Sequence, residues 1–217
     1  SAGLGAGFLP GASIVVDRRA PYYDPSVDTD LERLLATAAF PPGLLARAEA
    51  LVATLRARGV TKYNLGGAMP ALPKTEGRQR ILVPGQVADD LSVLRGATGA
   101  VRGDLDLLRA ARAAEPDAFL VYKPHPDVLA GHRRGGVPAA EAASLADLTV
   151  TDASMAGLLD AVDAVHTLTS LTGFEALLRG RAVTCWGQPF YAGWGLTEDR
   201  VTIPRRTRKL ALAELVA

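Results

Sequence analysis

The chain reads as an α/β protein: a Rossmann-like parallel sheet with helices on both faces, preceded by a short α+β segment. Three observations predict this. Five apolar runs of strand length occur at residues 80–83, 119–122, 148–150, 164–168 and 182–186. Helix-period stretches lie between them at 104–114, 155–162 and 173–179, and such alternation implies parallel strands whose crossovers cover the sheet. Polar or Gly/Pro-rich residues concentrate directly after four of the five runs. Ligands of open parallel sheets bind there, beyond the C-terminal strand ends.

The residues before the first run follow another pattern. Gly3, Gly5, Gly7, Pro10 and Gly11 predict a loop feeding a short strand at 14–16, with 17–23 as a turn into a second strand. Ser26, Asp28 and Thr29 are N-cap residue types for a helix over 30–37. Pro41 and Pro42 open a longer helix over 44–58, with Leu45, Ala48, Leu51, Val52 and Leu55 on one face and Gly59 as its stop. Gly66, Gly67, Pro70, Pro73 and Gly77 mark 66–79 as a linker. Two units are therefore expected, 1–78 and 79–217.

Composition excludes several classes. Lys+Arg (24) and Asp+Glu (23) nearly balance, so no basic footprint for nucleic acid is expected. The single Cys185 permits no internal disulfide and reads as buried and inert. No apolar run approaches the roughly 20 residues of a membrane span, and residues 1–5 lack a signal-peptide pattern; a cytoplasmic location is expected. No G-x-G-x-x-G follows a strand and no G-x-x-x-x-G-K-[ST] is present, which argues against nicotinamide dinucleotides and P-loop chemistry. His125, His132 and His166 lack metal-ligand spacing with Cys185, so no metal site is expected.

The strand-end residues carry the chemistry. Asp89 and Asp90 read as a helix N-cap pair, Lys123 to Asp127 as a Pro-stiffened loop, and Ser170 and Thr172 as caps of the next helix. Their convergence on one sheet edge points instead to an anionic nucleotide. A helix N-terminus near Thr172 offers N–H groups and a positive dipole end to phosphate. Lys123 and His125 add charge or hydrogen bonds, and Glu175 is placed to accept from ribose hydroxyls.

Four strings then resemble a known family. Ile-Leu-Val-Pro-Gly-Gln-Val-Ala-Asp-Asp-Leu-Ser-Val (81–93), Tyr-Lys-Pro-His-Pro-Asp-Val (122–128), His-Thr-Leu-Thr-Ser-Leu-Thr-Gly-Phe-Glu-Ala-Leu-Leu-Arg-Gly (166–180) and Pro-Phe-Tyr-Ala-Gly-Trp-Gly-Leu-Thr (189–197) are similar to the KpsC-type capsule polysaccharide β-Kdo transferases. Kdo is an acidic eight-carbon sugar. Ser-Ile-Val-Val-Asp (13–17), Tyr-Tyr-Asp (22–24) and Lys-Tyr-Asn (62–64) extend the likeness over nearly the whole chain.

The resemblance implies the donor-binding half of a GT-B glycosyltransferase, from the C-terminal of two modules. It implies CMP-β-Kdo as donor substrate with no further cofactor, retention of the β configuration, and a lipid-linked poly-Kdo acceptor of phosphatidylglycerol type. Asp90 matches the family's nucleophile, His125-Pro126 its His-Pro phosphate motif, and Ser170, Leu171 and Thr172 its second phosphate motif. Gln86, Lys123 and Glu175 are the other donor-binding candidates, with His125 also a catalytic one. Residues 1–78 would then end the acceptor-side half and supply interdomain helices. A module's remaining N-terminal half, with its Glu-Asp-Gly segment, is absent from this sequence and is an expected partner.

Asp89, Tyr191 and Trp194 are further cleft candidates, the two aromatics reading first as packing anchors. Asp17, Tyr22 and Tyr23 read as a hairpin or as cleft lining. Arg205, Arg206, Arg208 and Lys209 read as a solvated tail, with peripheral contact to anionic lipid of the inner membrane as the other option. Two readings from other classes stay open: a nucleotide-sugar epimerase of similar fold acting on UDP-sugars, and a non-catalytic scaffold for capsule export.

Overall fold

A computed structural model describes residues 15–62 and 72–217. Two helices come first, α1 (Asp30–Thr37) and α2 (Pro42–Ala57). The sheet then builds up as β1 (Arg80–Pro84), α3 (Leu91–Gly96), α4 (Asp104–Ala114), β2 (Phe119–Lys123), α5 (Pro126–Leu129), α6 (Ala139–Leu145) and β3 (Leu148–Thr149). It continues through α7 (Met155–Ala161), β4 (Ala164–Thr167), α8 (Leu171–Leu178), β5 (Ala182–Cys185), β6 (Glu198–Asp199) and α9 (Leu212–Val216).

All strand pairs are parallel, in the order β3-β2-β1-β4-β5-β6. The runs are continuously apolar because both faces are covered. Ile81, Val83, Leu120 and Tyr122 point to one face, where they meet Val93 of α3, Leu107, Leu108 and Ala111 of α4 and Ala142 of α6. Leu82, Val121, Val165 and Val183 point to the other, against Leu158 and Leu159 of α7, Ala176 and Leu177 of α8, Leu35 of α1 and Leu215 of α9. The connection from β3 crosses to β4 on the far side of β1, so strand order reverses between β1 and β4. That crevice is where such a sheet accepts a ligand.

Some expectations fail here. No strand forms at 15–23: Val15 and Val16 are 64% and 80% exposed. The Asp17 carboxylate instead organises a loop, accepting N–H groups from Arg19, Ala20 and Asp30. Ile14, the Lys-Tyr-Asn string beyond Lys62 and the linker's residues 66–71 lie outside the described residues. Of the basic run, Lys209 is exposed as expected, but the three arginines are tied to the fold. Arg206 is 7% exposed; its Nε donates to Glu32 of α1 at 2.9 Å, its Nη1 donates to the Pro189 and Ala192 carbonyls at 2.7 Å, and it stacks on Trp194. Arg205 also pairs with Glu32, and Arg208 donates to the Ala38 carbonyl and lies over Phe40. Glu32, itself buried, draws Arg205 and Arg206 onto the fold, while Arg208 pairs with Glu214. Among the described residues no helix is long and apolar enough to cross a membrane.

Candidate functional site

A cleft of about 560 Å³ opens at the C-terminal ends of β1, β2 and β4, over the reversal point. That is the size of a small-molecule site. Gln86 spans its floor: the side-chain amide donates to Thr169 Oγ1 at 3.0 Å and accepts the Thr169 N–H at 3.0 Å. One side chain thus clasps the turn after β1 to the turn after β4. Gly85 permits the close packing beneath, since a Cβ there would sit 2.9 Å from Asp104 Oδ2 and 3.1 Å from the His125 nitrogen.

One wall is the N-terminus of α8. Ser170 caps it, its Oγ accepting the Thr172 N–H at 3.2 Å. The Ser170, Leu171 and Thr172 side of the cleft therefore presents first-turn amides and hydroxyls. Tyr191 fixes this turn from behind. Its hydroxyl donates to the Ser170 carbonyl, and it fills the space at Gly173, where a Cβ would lie 2.2 Å from that hydroxyl.

The facing wall is the end of β2. Lys123 is half-buried with Nζ 3.3 Å from the Thr151 carbonyl; burial lowers its pKa, and the nearby Asp152 raises it again in part. His125 caps α5, with Nδ1 accepting the Asp127 N–H at 3.2 Å. That assigns the imidazole proton to Nε2. Burial lowers the His125 pKa against the opposing pull of Asp127, with Lys62 lowering it further; the neutral form is favoured. Pro126 sits at the first helical position and lines the cleft beside it.

Asp90 lies on the rim and caps α3, with Oδ1 accepting the Ser92 N–H at 2.8 Å and the Ser92 hydroxyl at 2.7 Å. Its cap role and its place in the cleft coexist, because one oxygen serves the helix and Oδ2 accepts no hydrogen bond among the described residues. Glu175, 6% exposed, lines the cleft, with Oε1 accepting the Lys62 N–H at 2.6 Å. Burial raises its pKa, partly opposed by that N–H and by Arg179. Glu175 thus anchors the segment after α2 as well as facing the cavity. Arg179 donates to the Val60 carbonyl and reinforces the anchor.

A profile of the capsule polysaccharide biosynthesis protein family matches residues 46–216. The chain belongs to that family. It is 45% identical over its full length to the capsule polysaccharide modification protein LipA of Neisseria meningitidis, and 42% identical to the lipopolysaccharide-processing protein LpsZ of Rhizobium meliloti. It spans 30% and 50% of those relatives' lengths. Two solved structures of Thermosulfurimonas dismutans KpsC resemble it. The beta Kdo 2,7 transferase has 38% identity and a TM-score of 0.79, over 92% of this chain and 61% of that one. The beta Kdo 2,4 transferase has 32% identity and a TM-score of 0.85, over 99% and 67%.

The fold therefore brings Gln86, Asp90, Lys123, His125, Pro126, Ser170, Leu171, Thr172 and Glu175 around one cavity. It does not bring Tyr191, Trp194 or Asp89 there. Both aromatics are fully buried, Trp194 with its Nε1 donating to the Phe190 carbonyl at 2.9 Å, so they pack beneath the site. Asp89 points outward to Arg133 at 3.0 Å. Phe190, between these residues, faces the cleft, with Tyr22 edge-on against it at 5.6 Å. Lys62 and Arg133 add cations to the lining. No strand-end pattern marks them, because they arrive from the segment after α2 and the loop after α5. Among the described residues no group of His, Cys, Asp and Glu side chains could hold a metal ion.

Proposed function

We propose that this chain is the donor-binding part of a retaining β-Kdo transferase that takes Kdo from CMP-β-Kdo to a lipid-linked Kdo acceptor. One observation carries the reading. Two anion-binding devices, the first turn of α8 and the Lys123–His125 strand end, face each other across the β1/β4 crevice. The likeness to two beta Kdo transferases supports the choice of sugar.

In this reading the phosphate of CMP lies between Thr172 and His125, with the ribose toward the second oxygen of Glu175. Asp90 Oδ2 attacks the anomeric carbon of Kdo, and the bond to the CMP phosphate oxygen breaks, its electron pair leaving with CMP. Lys123, His125 Nε2–H and the helix N-terminus offset the charge developing on that phosphate. An acceptor hydroxyl then attacks the anomeric carbon from the face that CMP vacated, losing its proton to water, the bond to Asp90 Oδ2 breaks, and the two inversions give retention. Ser92 holds Oδ1 and thereby aims Oδ2. No separate cofactor or metal is needed. The remainder of the longer polypeptide supplies acceptor contacts at the membrane surface.

Calorimetric titration with CMP and UMP tests the nucleotide. CMP is expected to bind and UMP to bind at least about tenfold more weakly. A preference for UMP would favour an epimerase, and no binding of either would favour a scaffold. Intact-mass analysis of the full-length protein with CMP-Kdo tests the mechanism: a Kdo-sized adduct is expected, absent in Asp90→Ala.

A further inference from the structure

Asp104 opens α4 and lies under the crevice, 7% exposed. Its Oδ1 accepts the backbone N–H of Gln86 at 2.9 Å and its Oδ2 accepts the Tyr122 hydroxyl at 3.3 Å, while the nearby Gly136 backbone helps to lower the pKa of the carboxyl. The two donors come from the turn after β1 and the end of β2, and the loop before α6 lies alongside. The neighbouring Gly135 pairs with Val87, and a Cβ on it would meet the Gln86 carbonyl at 2.9 Å. Gln86 is therefore held from both sides of its backbone while its side chain reaches Thr169. Gly85 lies between this carboxylate and the Pro124–His125 turn: a Cβ there would sit 2.9 Å from Asp104 Oδ2 and 3.1 Å from the His125 nitrogen.

We propose that ionised Asp104 is a positioning residue: it holds Gln86 against Thr169 and so sets the spacing between the Lys123–His125 turn and the first turn of α8. Its effect on donor binding rests on the nucleotide reading above; its effect on Gln86 does not. Burial pushes the Asp104 carboxyl up to about 6, against the lowering by Gln86, Tyr122 and Gly136. A neutral carboxyl is a weaker acceptor than a carboxylate, so the tie loosens as pH falls through that value. Tyr122 is the ionisable group that touches it. A void of about 190 Å³ alongside is lined by Val93 of α3, Gly135 and Gly136, with Asp106 the other ionisable group on its wall. Asp106 accepts the Arg102 N–H at 3.2 Å.

Amide NMR of the wild-type chain between about pH 5 and about pH 8 reads the tie directly. The Gln86 amide proton is expected to shift with a midpoint near pH 6, with the Thr169 amide following. In Asp104→Asn both are expected to be flat. At neutral pH, CMP binding is expected to weaken by about tenfold in Asp104→Asn. Gln86→Ala should weaken it by a similar factor, and the double variant no further. A silent Gln86 amide in the wild type, or the same titration in Asp104→Asn, overturns the inference. Unchanged CMP affinity in Asp104→Asn overturns its consequence for the donor. Absence of CMP binding to the wild type overturns the nucleotide reading alone, because the amide titration judges the tie without ligand. If Asp104→Asn fails to fold, the wild-type titration still decides.

Discussion

Replacing Glu32 with alanine should cost this fold about 3–4 kcal/mol. Glu32 is 5% exposed, and Arg206 beside it is 7% exposed, so the substitution leaves a guanidinium in the interior with its carboxylate gone. Burial already lowers the Arg206 pKa, and Glu32 is the main opposing influence. The Pro189 and Ala192 carbonyls remain as acceptors and keep the loss from running higher. Arg205 is 38% exposed at its side chain, so its share is the small one of a surface pair. For 217 residues the change corresponds to a fall in Tm of about 7–9 °C. Urea denaturation followed by circular dichroism measures it, with an unchanged m-value as the sign that the folded state is otherwise the same. Adding Arg206→Met to Glu32→Ala should recover part of the loss, since the stranded cation is then removed. A loss under about 1 kcal/mol would place the pair among surface ion pairs and refute the reasoning.

Other outcomes follow from the site. Lys123→Ala and His125→Ala should each weaken CMP binding by roughly ten- to a hundredfold, the range for a charge-assisted hydrogen bond, as read by calorimetry. Gly173→Ala should destabilise by about 1–3 kcal/mol in thermal melts, because its methyl group would overlap Tyr191; Tyr191→Ala in the same chain should relieve that overlap. The Asp104 carboxyl, raised to about 6, contributes stability that is present below about pH 4 and lost as pH rises through 6. Relative to Asp104→Asn, the wild type should therefore lose about 3 kcal/mol across that window, as parallel urea titrations would reveal. The cost belongs to the ionised form, the one that holds Gln86 best.

Much of the sheet was legible because its strands are buried on both faces and so read as unbroken apolar runs. β1, β2, β4 and β5 begin at the expected residues, and α1 and α4 have the expected limits. α8 starts two residues early because Ser170, not Thr172, is its cap. The expected helices do not include α5, whose four residues leave too few turns for a helical period to register, or α6, Ala-Ala-Glu-Ala-Ala-Ser-Leu, where Leu145 is the one large apolar residue and no face stands out. β6 is the polar pair Glu198–Asp199, held by backbone pairing to Thr184 and Cys185. Strand-end position anticipated that Lys123, His125 and Ser170 would line one cavity. It could not reveal that Trp194 turns inward while Phe190 turns out, since alternation fails in a loop of successive turns. Nor could composition show that Arg206 is an interior residue, because the carboxylate that requires it is 174 positions away.

That separation has a consequence for how the chain is made. Arg205, Arg206 and Arg208 grip α1 and the segment around it across 170 to 180 residues of sequence, and α9 closes over α2. On the ribosome, α1 and α2 emerge first, with Leu35, Phe40 and the Glu32 carboxylate awaiting partners translated much later. At about 5–20 residues per second, that wait lasts on the order of ten seconds or more. A nascent chain ending just before residue 205 would hold all six parallel strands but an unsealed edge. A chain lacking α1 would leave the complementary defect, with Arg206 buried and its Glu32 carboxylate gone.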